Sequence, residues 1–279
     1  MPPRNLPFIS RLAILCGGFD AQFGWVFFGF GMIFFWIFFM NSEVVYMLAY
    51  GDWESAPGEI LRVEETNASE NNTSVYESIY KYNVSGVNYE GTAYTTGRDF
   101  YNGQQVDIEY NPDNPSESRM GGSRRGMFGW EVMLVMLFPL VGLAFILFSF
   151  RRNMKSVDLL MNGRFAQGTL LKQEPTNVTI NKQTVYKYTF RFEAHDGQMY
   201  EATGNTHIGS LLTDEKYERL IYAPNDPSYA TMYDIIPSAP RVNPDGSLGP
   251  LPFTAYLSLI LPLISLVLHG GYYMLAYVL

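Results

Sequence analysis

The sequence predicts a membrane α+β protein, in which three transmembrane helices alternate with two small antiparallel β barrel or sandwich domains related by internal duplication. Three observations predict it. The apolar residues of the 279-residue chain are concentrated in three long stretches. The segments between them are polar and show the two-residue alternation of strands. The same series of short motifs also recurs in the same order in both polar segments. The expected organisation is an N-terminal interfacial segment over residues 1–22, spans over 23–48, 127–150 and 251–279, and β domains over 49–126 and 151–250.

The first span is centred on residues 23–40, which carry no charge and of which ten of eighteen are Phe or Trp. Eighteen helical residues rise about 27 Å, close to a hydrocarbon core. The helix is expected to continue past Glu43 to Leu48. The stretch is too long for a cleaved leader and lacks a small-x-small site after it. Before it, Leu6–Cys16 is too short to cross and reads as a short amphipathic helix in the interface. The second span, Trp130–Phe150, lies between Arg124-Arg125 and Arg151-Arg152. The third, Phe253–Leu279, contains His269, a candidate intramembrane polar site. Its tyrosines, Tyr256 near one end and Tyr272, Tyr273 and Tyr277 near the other, suit the two interfaces. Gly17, Gly24 and Gly31 recur every seven residues, as candidates for close helix packing. Pro139 and Pro262 should bend their helices.

Basic residues near the span ends set the expected orientation. The N-terminus and the second polar segment contribute Arg4, Arg11, Arg151, Arg152, Lys155, Arg164 and Arg241. The first segment contributes Arg119, Arg124 and Arg125, a ratio of seven to three. The N-terminus and second β domain are therefore expected in the cytoplasm, and the first β domain outside.

Within the first segment the motifs are Gly58-Glu-Ile-Leu, a Val75–Val84 strand, Gly86-Val-Asn-Tyr and Val106-Asp-Ile-Glu-Tyr-Asn-Pro-Asp-Asn-Pro-Ser. Within the second they are Gly168-Thr-Leu-Leu, Val185-Tyr-Lys-Tyr-Thr-Phe, Gly197-Gln-Met-Tyr and Leu220-Ile-Tyr-Ala-Pro-Asn-Asp-Pro-Ser. Tyr80-Lys81-Tyr82 matches Tyr186-Lys187-Tyr188 at an offset of 106, and Tyr110–Ser116 matches Tyr222–Ser228 at 112. The difference is expected in an insertion around Ile208–Tyr217. Alternation places Tyr80, Tyr82 and Val84 on one face, and Tyr188, Phe190 and Phe192 on another. Val84–Tyr89 and Ala194–Tyr200 read as hairpin turns. Pro-Asp-Asn-Pro and Pro-Asn-Asp-Pro end strands, because proline cannot donate to a ladder. About five strands per copy are expected, with a short helix over Leu211–Leu220.

On these residues the chain resembles the bacterial membrane proteins grouped as domain-of-unknown-function family 3592. Their pattern is a span, a Gly-x-Ile-type strand, a Tyr-x-Tyr strand, a Gly-x-x-Tyr hairpin and a Tyr-x-Pro-x-x-Pro ending before a second span. Both segments fit this order, over about Trp53–Met120 and Phe165–Met232. The second departs with Ala-His-Asp-Gly in its hairpin. The resemblance implies a bacterial inner-membrane location and this fold, and brings no activity or ligand.

Charge and composition remove several classes of function. A net charge of −8 and a pI near 4.9 disfavour nucleic acid as a partner, since phosphate binding needs basic patches. A single cysteine, Cys16, forbids an internal disulfide and a cysteine-based zinc site. His195 and His207 lack a third ligand at metal spacing. No P-loop, Gly-x-Ser-x-Gly or His-Glu-x-x-His motif occurs. No catalytic, cofactor-binding or metal residue is therefore expected, and no cofactor. Sequons at Asn67, Asn71, Asn72, Asn83 and Asn177 matter only in a glycosylating pathway. The sequence points to a non-catalytic membrane subunit or scaffold, with the lipid bilayer and other membrane proteins, or a second copy of itself, as partners. The alternative is a component of an oligomeric transporter or channel.

Overall fold

The computed structural model describes residues 3–47, 52–180, 182–209, 212 and 216–279, with the backbone alone for Met47. Among the described residues, three helices are long and apolar enough to cross a membrane: Phe19–Phe39, Trp130–Asn162 and Phe253–Tyr277. The chain divides into two compact units, residues 30–140 and residues 1–29 with 141–279.

The first span runs about 32 Å from Phe19 to Phe39, its last five residues in a π-helical turn. It ends well before Leu48 because polar side chains capture its final carbonyls. Asn41 Nδ2 donates to Trp36 and Ile37 O, at 3.1 and 2.9 Å, and Ser42 Oγ donates to Phe39 O at 2.7 Å. A separate short helix, Glu43–Met47, follows, and Leu48 lies outside the described residues. The second span continues past Phe150 to Asn162, so residues 151–162 belong to its helix and not to the second β domain. It starts as a 3-10 helix, Trp130–Met136, and becomes α-helical at Leu137. The third span changes likewise from Leu257–Leu259 to Ile260–Tyr277. Pro139 and Pro262 are each the third residue after the change, where the helix passes from 3-10 to α-helical hydrogen bonding.

In the first unit (residues 30–140), five strands form one antiparallel sheet: β1 (Glu54–Glu70), β2 (Thr73–Val84), β3 (Val87–Thr96), β4 (Gln105–Asn111) and β5 (Asn114–Met120). Their spatial order is β3-β2-β1-β4-β5. In the second unit, β6 (Arg164–Ile180), β7 (Gln183–Glu193), β8 (Met199–Thr206), β9 (Glu218–Ala223) and β10 (Asp226–Met232) repeat that order as β8-β7-β6-β9-β10. Each sheet curls until the backbones of its two edge strands come within 8 Å of each other, yet no ladder joins them. The expected barrel is therefore open. Pro115 and Pro227 near the start of β5 and β10 remove an edge donor.

Strand register corrects the alignment expected from sequence. Gly58 pairs with Tyr82 and Gly168 with Phe192, and both first strands carry a bulge, at Leu61 and Leu171. A second irregularity also recurs: Thr66 Oγ1 donates to Val75 O at 2.8 Å, and Thr176 Oγ1 to Val185 O at 2.7 Å. Tyr80 and Tyr82 thus correspond to Phe190 and Phe192, at an offset of 110, and not to Tyr186 and Tyr188. The offset becomes 111 in β8 and 112 in β9 and β10. One added residue lies in the β7–β8 hairpin and one between β8 and β9, so the six-residue insertion around Ile208–Tyr217 disappears. Of the helix expected over Leu211–Leu220, residues 211 and 213–215 lie outside the described residues, and Glu218–Leu220 belong to β9.

The β2–β3 hairpin has a two-residue turn, with Ser85 and Gly86 both at positive φ, 53° and 88°, as a type I′ turn requires. The core of the first sheet is Ile60, Tyr80, Tyr82 and Ile108, from the alternating faces that the sequence shows. That of the second sheet centres on Tyr188, Phe190, Phe192 and Leu220. A further core in the second unit joins Leu159 and Leu160 of the second span with Ile14, Ile221 and Ile236. Ile14 belongs to an N-terminal helix, Phe8–Leu15, which is thereby docked on protein, while Phe8 and Ile9 stay exposed.

Gly24 and Gly142 bring the first and second spans together in the second unit. A Cβ on Gly142 would lie 2.3 Å from Phe28 N and 2.8 Å from Gly24 O. We expect Gly142→Leu to destabilise the protein by roughly 1–3 kcal/mol through overpacking. Gly270→Ala, whose Cβ meets nothing within 4 Å, should be near neutral. Thermal unfolding in detergent checks both.

Candidate functional site

The first β domain meets its two spans in a compact polar junction. Glu43 N–H donates to Phe128 O at 2.9 Å, and Phe128 N–H donates to Asn41 O at 3.2 Å. Glu43 Oε2 accepts from the backbone N–H groups of Arg125 and Gly126, at 2.6 and 3.0 Å. A Cβ on Gly126 would come within 2.2 Å of Glu43 N, so only glycine permits this approach. Glu70, at the far end of β1, forms the second anchor. It accepts from Arg124 Nη1 at 2.9 Å, Thr96 Oγ1 at 2.5 Å and Gly129 N–H at 3.1 Å. Burial alone would raise the Glu70 carboxyl. The hydrogen bonds from Thr96, Arg124 and Gly129, with the arginine charge, outweigh it and hold the carboxyl below its ordinary value.

Arg125 is held by rings. Its guanidinium lies 4.6 Å from the centre of Tyr46 and 5.3 Å from that of Trp53, and donates to Tyr46 O at 3.0 Å. It stands at one end of a cavity of about 410 Å³ between the edges of β3 and β5, lined also by Glu90, Thr92, Tyr94 and Ser118. Behind it Tyr80 reaches under β3 to Ser118, Oη to Oγ 2.8 Å. Gly91 makes room, since a Cβ there would be 2.4 Å from the Tyr80 ring. Burial pushes the Tyr80 hydroxyl up to about 12. Tyr94, whose hydroxyl donates to Glu77 at 2.8 Å, is raised by burial and by that carboxylate.

The edge of β3 is partly paired. Tyr94 exchanges both backbone hydrogen bonds with Arg124, at 2.8 and 3.1 Å. In an antiparallel ladder, alternate residues turn their N–H and C=O to the same side. Asn88, Glu90 and Thr92 therefore point theirs outward, and no strand among the described residues pairs with them. In the second sheet Met232 and Ile235 pack at Gly204 of β8, and Met120 and Ala93 hold the equivalent positions of Met232 and Gly204 in the first core.

The residues singled out from sequence lie elsewhere. Gly17 precedes the first span and is not on its helix. Gly24 faces Gly142 and Ile146 of the second span, and Gly31 faces Pro139. His269 Nε2 lies 2.9 Å from Gly29 O, and a Cβ on Gly29 would be 2.4 Å from Ser265 Oγ. Ser265 and His269, one turn apart, thus seat the third span on the first. His195 is in the β7–β8 turn, and no group of three or more metal-ligating side chains occurs among the described residues. Glu43, Glu70 and the aromatic seat of Arg125 were not found by sequence reading. Their partners are distant in the chain, and the only signal was charge beside the spans.

Fold and junction together define a membrane-anchored five-stranded β module. The family described as Domain of unknown function (DUF3592) matches residues 56–125, which cover this module from β1 to Arg125. No curated protein and no solved structure matches the chain.

Two outcomes are expected. The Glu70 carboxyl is lowered in the folded protein, so its contribution is complete above about pH 4.5, its ordinary value, and is lost as pH falls through the folded value. The stability advantage of wild type over Glu70→Gln should thus shrink below about pH 4.5, as read by chemical unfolding across pH. His269→Ala should cost about 1 kcal/mol, the usual worth of a hydrogen bond between membrane helices, as read by unfolding in mixed micelles.

Proposed function

We propose that this protein is a non-catalytic membrane scaffold whose first β domain holds another membrane protein, or a second copy of itself, by strand addition. The observation that carries this reading is the open edge of β3 at Asn88, Glu90 and Thr92, beside the cavity at β5. An extended segment entering there would gain main-chain hydrogen bonds, with Arg125 and Glu90 selecting its side chains. Arg124 already supplies the first residue of such a ladder by pairing with Tyr94.

The shared strand order and recurring bulges support a common origin of both β domains by duplication, with the second also of the family 3592 type. The N-terminus and second β domain are assigned to the cytoplasm of a bacterial inner membrane, and the first β domain to the periplasm. Arg124 and Arg125, which weigh against that orientation, are tied to Glu70, Tyr46 and Trp53. Arg4, Arg11, Arg152 and Lys155 on the other side are engaged as well, so the orientation rests on the count of seven against three.

The test is native-mass analysis of the full chain after gentle extraction, with a photo-crosslinker at Thr92 or at its counterpart Thr203. A larger complex, crosslinked from Thr92 and not from Thr203, is the expected result. Glu90→Pro, with the crosslinker kept at Thr92, removes an outward N–H and should reduce the crosslinked complex about tenfold, the worth of one main-chain hydrogen bond. A lone monomer, or crosslinking indifferent to position, overturns the proposal.

A further inference from the structure

The second unit contains a cavity of about 810 Å³ whose chemistry differs from the rest of this acidic chain. Its wall is formed by Arg4, the end of the second span's helix, the start of β6, His195 and Tyr222, and the turn at Asp245–Ser247. The volume is within the range of small-molecule pockets.

Comparison of the two domains shows what is particular here. In the first, Glu54 pairs with Tyr110, whose hydroxyl donates to the Glu54 carboxylate at 2.7 Å. At the same ladder position the second has Arg164 opposite Tyr222. An acid has been replaced by a cation, and the tyrosine is released from it. The longer β7–β8 hairpin then brings His195 to the tyrosine. Its backbone N–H donates to Tyr222 Oη at 3.0 Å, and its Nδ1 lies 3.5 Å from the same oxygen.

One feature that would repel an anion is already satisfied. The helix C-terminus presents carbonyls, but Arg4 caps them, with Nη1 at 3.2 Å from Leu160 O and 2.7 Å from Gly163 O. The Asp245 carboxylate keeps its charge, held by the N–H and hydroxyl of Ser247 at 2.9 and 2.6 Å, so an anion must sit toward Arg164 and away from that turn. Arg164 has no hydrogen bond or ion pair among the described residues, although it is half-buried. A half-buried guanidinium on the same cavity wall as its ladder partner tyrosine suits the planar fork of an oxyanion. The cavity lies at the end of the second span's helix, past Arg151, Arg152, Lys155 and Asp158, so the ligand comes from water.

We infer that this cavity binds a small organic oxyanion, a phosphate or carboxylate, with Arg164 as its main charge partner and Tyr222 and His195 beside it. This site is separate from the β3 edge and independent of the scaffold reading.

The experiment is thermal unfolding of the full chain in detergent, titrated with glycerol phosphate or with succinate at ionic strength held constant by chloride. Either anion should raise the midpoint saturably, and the more effective one identifies the head group. Arg164→Gln should weaken the apparent affinity about tenfold, the worth of a charge-assisted hydrogen bond. Arg164→Glu, which installs the residue type found at this position in the first domain, should abolish the shift. Lys172→Gln, an exposed cation on the same strand, should leave it unchanged. No saturable shift with either anion, or equal losses in Arg164→Gln and Lys172→Gln, would overturn the inference.

Discussion

A β domain inserted between two membrane spans must begin and end at one place, and the first domain depends on how this is achieved. The chain leaves the first span at Asn41 and returns to the second at Phe128, and backbone hydrogen bonds join those two points. The Glu43 carboxylate then holds the returning strand by two further N–H groups. With entry and exit fixed, β1 can lie at the centre of the sheet and pair on both sides. The remaining strands follow as hairpins around it, at little cost in loop entropy.

The same closure explains how the charges at the membrane boundary are used. Arg124 and Arg125 look like ordinary flanking cations in the sequence. In the structure Arg124 is only 19% exposed and is committed to Glu70, while Arg125 is set between two rings. A partly buried arginine is stable only with such partners. Charge beside a span therefore has two uses here, holding the domain and biasing insertion, and sequence alone does not separate them.

Much of the fold was legible because period and punctuation are local. Tyr80, Tyr82 and Val84 alternate, Ser85-Gly86 turns, and the spans are uniform in polarity. The open edge, the register and the junction were not, because each depends on residues far apart in the chain. The match of Tyr-Lys-Tyr in both segments was misleading for a physical reason. In β7 the aromatic alternation runs from Tyr186 to Phe192, so several registers satisfy the core, and the bulge at Leu171 selects among them. Gly24 and Gly31 lie on the helix of the first span, seven residues apart. Gly17 shared that spacing but precedes the helix, where a seven-residue repeat has no meaning.

The two domains keep one scaffold and differ where it is least constrained. Buried positions such as Tyr80 and Phe190 retain aromatic bulk, as packing requires. At the strand edges and hairpin tips packing imposes little, and there the chemistry separates. The first sheet leaves space at Gly91 for a tyrosine and keeps its edge open. The second has Ala202 at that position, and a cation at Arg164 where the first has Glu54. Neither sheet closes by a ladder, so the domains differ not in topology but in the few side chains set along one strand order.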